Sequence, residues 1–541
     1  MRFFQRIIFI VSFFLVTFFA FAVISSVTAF ITLRNMQFRS ARTTAQVGLF
    51  FLQPFSLVTL HAVPDLEFWK TSLEITAEVD PLIQSLHHSV VSALQKEKPS
   101  QSSSDVQNQI HEFLTLIMKE NDTLQHTFLF KKILPSKYQD LLSHIVAAVP
   151  DIEIVTQTLF ETHHTFLILF QNSEELRATG GFIGSYGLVE IDHGALHRLI
   201  IQDIYEPDGH FHGFVDAPHG LFEYLSDGKG MRLPDANWSP DLPTSAHSIL
   251  SFFTAANEPS IDGMITLNVH TAEEIVKILG PIELPDFHTT VTAENLSTVA
   301  RSDRSTFFPG SQQKKDFLSA LFTAIKLHLT DMSTQQQKAI AHLLVTEIKT
   351  KNIQFFDTSN DLEALYKKYD SAGTVHVPAQ NELFFYPVES NVGINKANAR
   401  VQRDIQLDIH EKNTTLTIHF SNQNLTHGPY TEFIRPNHYV NYQRVFVRPD
   451  MSVQSITVSG KSLEKWDENI LRTDSGAVVK QIGFLVVVPE QEENTAVITF
   501  TNPFPVTRAT PVFFQKQSGL PPLRYILQKM GTAENTSTLL L

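Results

Sequence analysis

Phe166-Leu-Ile-Leu-Phe170, running directly into Gln171-Asn-Ser-Glu-Glu-Leu-Arg-Ala-Thr-Gly-Gly-Phe-Ile-Gly-Ser-Tyr-Gly187, is the passage on which the fold turns. An uninterrupted apolar run of this length, bounded by polar residues, reads as a strand buried on both faces. The glycines at 180, 181, 184 and 187 suit either tight turns that let strands pack closely or a loop whose backbone N–H groups line an anion. Neither standard phosphate loop fits. The spacing misses G-x-G-x-x-G, and Gly460-Lys-Ser462 has Ser455 where a G-x-x-x-x-G-K-[ST] loop needs its first glycine. There is also no G-x-S-x-G elbow around Ser185.

Downstream, Leu188 to Ile191 and Leu196 to Ile201 flank Asp192-His-Gly194, a good hairpin turn. Ile261 to Leu267 reads as a strand feeding a helix from about Thr271 to Leu279, which Gly280-Pro281 closes. With helices over Gln312 to Leu329 and Ser333 to Ile348, residues 161–380 form an α/β core. From Asn381 the pattern changes to short β runs between polar turns, which predicts a β-sandwich over 381–520, separable from the core and able to fold alone. Residues 521–541 read as a C-terminal tail.

Upstream, apolar residues at three- and four-residue steps from Leu73 to Leu94, again from Val106 to Ile117, and a helical stretch from Lys137 to Ala148 make 34–160 a membrane-proximal helical region. Before it, residues 7–33 are uncharged and rich in Phe, Ile and Val, long enough at about 1.5 Å per residue to cross a ~30 Å hydrocarbon layer, and longer than a signal-peptide core. The expectation is a retained transmembrane helix with a cytoplasmic tail at 1–6. Arginines flank both ends, so charge alone leaves the orientation open.

The totals narrow the function. A chain of 541 residues is multidomain. Net charge −14 offers no basic field for a polyanion, so nucleic acid is not an expected partner. The absence of cysteine removes thiolate nucleophiles, disulfides and Cys-ligated metals. Chemistry-bearing side chains do cluster around the glycines. Glu174, Glu175 and Arg177 precede them, Asp203, Glu206 and Asp208 follow, and Arg301-Ser-Asp-Arg304 with Lys314-Lys315 adds cations further on. Arginine forks suit phosphate and carboxylates suit Mg²⁺, so the set reads either as a metal-pyrophosphate site or as surface ion pairs. His210, His212 and His219 with Asp208 and Asp216 form a second loop of metal-binding residue types, without a H-E-x-x-H helix or closed ligand set.

The run from Gln171 to Gly187, the segment Asp235-Ala-Asn-Trp-Ser-Pro-Asp-Leu-Pro-Thr-Ser-Ala246, Asp262-Gly263 with Leu279-Gly-Pro281, Glu389 to Lys396, and Tyr442 to Pro449 resemble the family of domain of unknown function 4012. That family implies a bacterial, membrane-anchored protein. More faintly, Glu175 with Arg177, the strand-helix passage from Ile261 to Pro281, and Arg301-Ser-Asp-Arg304 before Gln313 resemble landmarks of the LytR-CpsA-Psr phosphotransferases. This likeness implies an αβα sandwich outside the membrane that takes a polyprenyl-pyrophosphate lipid and serves a cell-wall or envelope polymer. It would place Arg177, Asp203, Arg301 and Arg304 at the reacting centre, Glu175 or Asp203 on Mg²⁺, and backbone N–H groups of Gly180 and Gly181 on the ligand. Two departures stand out: Thr179-Gly-Gly-Phe182 replaces that family's Arg-Ser-Asp, and its Ile-Pro-Arg-Asp element is missing.

Overall fold

The computed structural model describes residue 17 and residues 21–59, 64–95, 103–226, 228–299, 312–425, 437–521, 524–530 and 532–534. It divides into two compact units, 1–163 with 191–197, and 164–190 with 198–541.

The first unit is helical. A helix over 21–34 precedes α1 (Phe38–Thr59), α2 (Pro64–Gln95), α3 (Ser103–His126) and α4 (Ser136–Glu161). Small residues let the first two approach closely: Ala22, Ala29, Ala45 and Leu52 share one buried cluster with Leu73 and Ala77 of α2. A second cluster joins α2, α3 and α4 through Phe68, Ile117, Leu124 and Leu142. Most of residues 7–20 lie outside the described residues, and among the described residues no helix is long and apolar enough to cross a membrane.

The second unit is mixed α/β. Its central sheet runs in the order β3 (Ala195–Asp203), β2 (Phe182–Asp192), β1 (His163–Asn172), β4 (Gly263–Asn268) and β7 (Ile353–Asp357). β1 and β4 are parallel, with Gln171 opposite Asn268 at their carboxyl ends, while β7 is antiparallel to β4. The strand alternation sorts the faces. Leu167, Leu169, Met264 and Phe356 pack with Ala246, Ile249, Phe252 and Phe253 of α5 (Leu242–Ala255). On the other face Phe170 and Leu267 look towards α6 (Val269–Leu279) and α7 (Gln312–Thr330). Those helices share a separate cluster with β5 (Ile282–Leu284) and β6 (Thr289–Val291) through Val276, Ile282, Val291, Phe317 and Leu321. α8 (Thr334–Lys349) and α9 (Asn360–Lys368) follow, and shorter helices lie at Tyr205–His210, Leu221–Tyr224 and Leu296–Val299.

From Leu383 onward two sheets form the expected sandwich. One holds β8 (Leu383–Asn391), β11 (Tyr439–Val447), β14 (Asp467–Arg472), β15 (Val478–Val488) and β17 (Val512–Phe514). The other holds β9 (Val401–Ile409), β10 (Asn413–Asn422), β12 (Ser452–Val458), β13 (Lys461–Ser462), β16 (Glu493–Thr501), β18 (Arg524–Lys529) and β19 (Thr532–Glu534). Strand β10 alternates buried and half-buried residues, as a strand with one covered face should. Strand β8 does not: every residue is buried. Leu383 and Phe385 enter the sandwich interior, whereas Phe384, Tyr386 and Val388 pack the opposite way, with Ala178 and Val375. The sandwich therefore shares a core with the α/β part.

The stretch read as a tail departs from expectation in part. Residues 524–529 pair with β9 in parallel, burying Tyr525 and Leu527 in the sandwich. Its polar surroundings give no such signal. The strand forms because the edge of β9 is open to it.

Candidate functional site

At the carboxyl end of β1 the chain doubles back. The Glu175 N–H donates to the Asn172 carbonyl at 3.1 Å, Gly180 to Arg177 at 3.1 Å and Phe182 to Glu175 at 2.9 Å. A Cβ on Gly181 would lie 2.3 Å from the carbonyl carbon and oxygen of Asn172, so only glycine fits there. Close packing thus requires glycine at 181, and the Gly180 N–H is engaged within the turn.

Arg177, in the middle of that turn, is 1% exposed. Its Nε donates to Asp235 at 2.8 Å, its Nη2 to Glu175 at 3.2 Å, and its Nη1 to the carbonyls of Leu176 at 3.2 Å and Asn391 at 2.7 Å. Asn237 holds the turn from the other side, donating to Thr179 Oγ1 at 2.9 Å and to the Gly181 carbonyl at 2.8 Å. Burial pushes the Glu175 carboxyl above its ordinary range; the Arg177 charge pulls it down and Asp235 pushes it further up. For Arg177, burial alone favours loss of the proton, but Asp235 and Glu175 outweigh it and hold the guanidinium charged.

Beside this group lies a cavity of about 490 Å³. Phe170, Phe182, Leu267, Ala272, Leu321 and Phe322 represent its apolar walls, and Glu175, Arg177, Asp235, Lys396, Tyr205 and Asn268 its polar lining. The space exists because α6 and α7 stand off the face of β1 and β4, close to the carboxyl ends of two parallel strands, a common location for ligand sites in α/β sheets. Burial pushes the Tyr205 hydroxyl up to about 12, so it remains a neutral donor near pH 7.

Of the residues expected at the site, the structure brings Arg177 and Glu175 together on the cavity. Gly180, Gly181 and Asp203 are not on its lining. Asp203 is buried, with Oδ1 accepting the Tyr205 N–H at 3.0 Å. Arg301 and Arg304 lie outside the described residues. Among the described residues no group of three or more His, Asp or Glu side chains gathers as a metal site. In the histidine loop, Asp208 is held by Arg232 at 2.9 Å and His210 faces Glu258 at 3.3 Å. Asp235 and Lys396 were missed as site residues, although both sit in segments that carry the family likeness. Charge clustering along the chain overlooks them because they are far from Arg177 in sequence.

Residues 161–304 match the family described as protein of unknown function DUF4012. The DUF4012 stretch contains β1 to β6, the Arg177 turn, the Asp235 segment and α6. Among solved structures, the Lin1025 protein from Listeria innocua is 12% identical, over 39% of this chain and 79% of that one, with a TM-score of 0.23. TagV from B. subtilis is 13% identical, over 40% of this chain and 85% of that one, with a TM-score of 0.22. No curated protein matches.

Proposed function

We propose that this is a membrane-anchored cell-envelope protein, its folded units outside the cytoplasm, whose α/β core binds, and transfers from, a polyprenyl-linked, pyrophosphate-containing precursor of an envelope polymer. The observation that carries the proposal is the form of the cavity: apolar walls for a hydrocarbon chain, and a charged group of Glu175, Arg177, Asp235 and Lys396 for a polar head. Its volume falls within the roughly 300–1,000 Å³ typical of small-molecule sites. Mg²⁺ enters the proposal as a counter-ion that arrives with the pyrophosphate.

A second reading is a non-catalytic envelope protein with a degenerate phosphotransferase-like core. One observation favours it: all of the Arg177 guanidinium nitrogens already donate to protein acceptors. Arg177 then shapes the polar end without gripping phosphate.

Isothermal titration of the full chain in detergent with geranylgeranyl pyrophosphate, with and without Mg²⁺, and with geranylgeraniol tests both readings. Binding of both ligands, tighter for the pyrophosphate, is expected. Ala272→Trp, which fills the cavity from α6, should weaken both by about tenfold or more. No heat from the wild type with either ligand would sink the lipid-site proposal. In transfer, a polymer hydroxyl would take the terminal phosphoryl group as the P–O–P bond breaks, releasing geranylgeranyl monophosphate and the hydroxyl proton; binding never followed by that release when envelope polymer is added would favour the second reading. Protease added to intact protoplasts should digest the folded units; full protection would reverse the topology.

A further inference from the structure

The helical unit carries an exposed apolar tip of its own. In Thr127-Phe-Leu-Phe-Lys-Lys-Ile-Leu-Pro-Ser-Lys137, which joins α3 to α4, Phe128 is 73% exposed, Leu129 51% and Ile133 59%. Lys131, Lys132 and Lys137 are exposed beside them, and the segment contains no carboxylate, although the chain as a whole carries net charge −14. The tip is held in place. The Asp65 carboxylate, in the first turn of α2, accepts the backbone N–H groups of Phe128 at 3.0 Å, Leu129 at 2.8 Å and Phe130 at 3.0 Å. Phe130 packs on Phe68 with ring centroids 5.0 Å apart. Phe128 and Leu129 are thus presented outward on a fixed backbone, with the Lys132 ammonium 4.0 Å from the Phe128 ring centre.

The position of this tip in the bundle says what it meets. Helix 21–34 runs antiparallel to α1: Phe21 stacks on Phe51 at 5.1 Å, and Ser25 lies against Gly48. The Trp69 indole donates to Ser26 at 2.6 Å, one turn along α2 from Asp65. The amino end of helix 21–34 therefore reaches the same end of the bundle as residues 128–130. In sequence, residues 7–20 before it are the first part of the uncharged apolar run.

We infer that this segment is a second, peripheral contact with a bilayer rich in anionic lipid: Phe128, Leu129 and Ile133 enter the interfacial layer, and Lys131, Lys132 and Lys137 meet headgroup phosphates. Aromatic and aliphatic tips ringed by lysine are the chemistry that an anionic membrane surface selects. An apolar cluster left exposed on a fixed backbone marks an interaction site. The inference does not depend on what the cavity binds.

The chain has no cysteine, so Phe128→Cys carries a single bimane label without background, and His111→Cys, upstream on exposed α3 surface, serves as the reference. The full-length labelled chains are reconstituted in phosphatidylcholine vesicles with or without about 30 mol% phosphatidylglycerol, and with doxyl-lipid quencher. With the anionic lipid, quenching at 128 should exceed that at 111 by about twofold or more. K131E/K132E, at two exposed positions, should remove most of the excess, as should raising the salt to about 0.5 M in the unaltered background. Equal quenching at 128 and 111, or quenching indifferent to lipid charge, lysine reversal and salt, would overturn the inference. So would shielding of the 128 label from aqueous iodide without doxyl quenching, which would indicate a protein or a second copy on this surface.

Discussion

The guanidinium of Arg177 is committed inside the protein, to two carboxylates and two carbonyls, and the consequence is energetic. Removing it strands Glu175, whose side chain is only 12% exposed, beside Asp235. Arg177→Ala is therefore expected to cost about 3–5 kcal/mol in urea unfolding, against under about 1 kcal/mol for a surface pair. Arg177→Lys should recover only part, because an ammonium cannot reach four acceptors arranged around a planar fork. The loss should depend on pH. With the arginine gone, burial and Asp235 both hold the Glu175 carboxyl above its ordinary value, so the folded state binds a proton that the unfolded chain releases. Stability then falls as pH rises from the unfolded carboxylate value, about 4.3, through the raised folded one. The deficit of Arg177→Ala should be smallest in acid and largest at neutral pH; a flat profile would show that Glu175 stays hydrated. The pairing of Glu175 with Arg177 is legible in the sequence, two residues apart on one turn. Asp235 is not, because only folding brings it to 2.8 Å.

At the scale of elements, Asp235 to Ala246 ties the second unit together. Asp235 meets the β1 turn, and Asn237 clamps its glycines. Trp238 stacks on Tyr442 and lies under Arg444, whose guanidinium carbon is 4.4 Å from a Trp238 ring centre. Arg444 is buried, and burial lowers its pKa to about 10. Asp241 then caps α5 by accepting the Thr244 N–H at 3.3 Å and hydroxyl at 2.8 Å. The same carboxylate takes the N–H of Val375 at 3.0 Å and of Ser475 at 3.2 Å. An N-cap alone is worth about 0.5–2 kcal/mol, whereas Asp241→Ala should exceed that range, since it also leaves buried N–H groups without an acceptor. Differential scanning calorimetry checks this: a loss no larger than that of Asn268→Ala, which caps α6, would mean that the links to 375 and 475 add nothing.

For the second unit as a whole, the shared core bears on whether the sandwich can stand alone. A fragment of residues 381–520 would bare Phe384, Tyr386, Val388 and Phe446, and with Tyr442 would lose the cover of Ala178, Val375 and Trp238. It would also lack β18, exposing the edge of β9. Such a fragment should be insoluble or unfold without cooperativity, while residues 164–534 expressed together should give one cooperative transition by circular dichroism. Soluble, cooperative folding of 381–520 would show that the outer face of β8 tolerates water. The short β runs of β9 and β10, the apolar run of β1, the α6, α7 and α8 patterns and the change to β structure near residue 381 were all determined by the sequence itself, because local periodicity encodes which face is buried. The sequence also identified Glu175 and Arg177 as neighbours. Only the tertiary structure decided that Gly181 lies too close to Asn172 for a side chain, that Arg177 donates to partners 58 and 214 residues away, and that helices standing off a sheet leave an apolar cavity. The physical reason is common to all three: each depends on contacts between residues that are not neighbours in the chain, and a packing distance or an unfilled volume has no local periodicity to announce it.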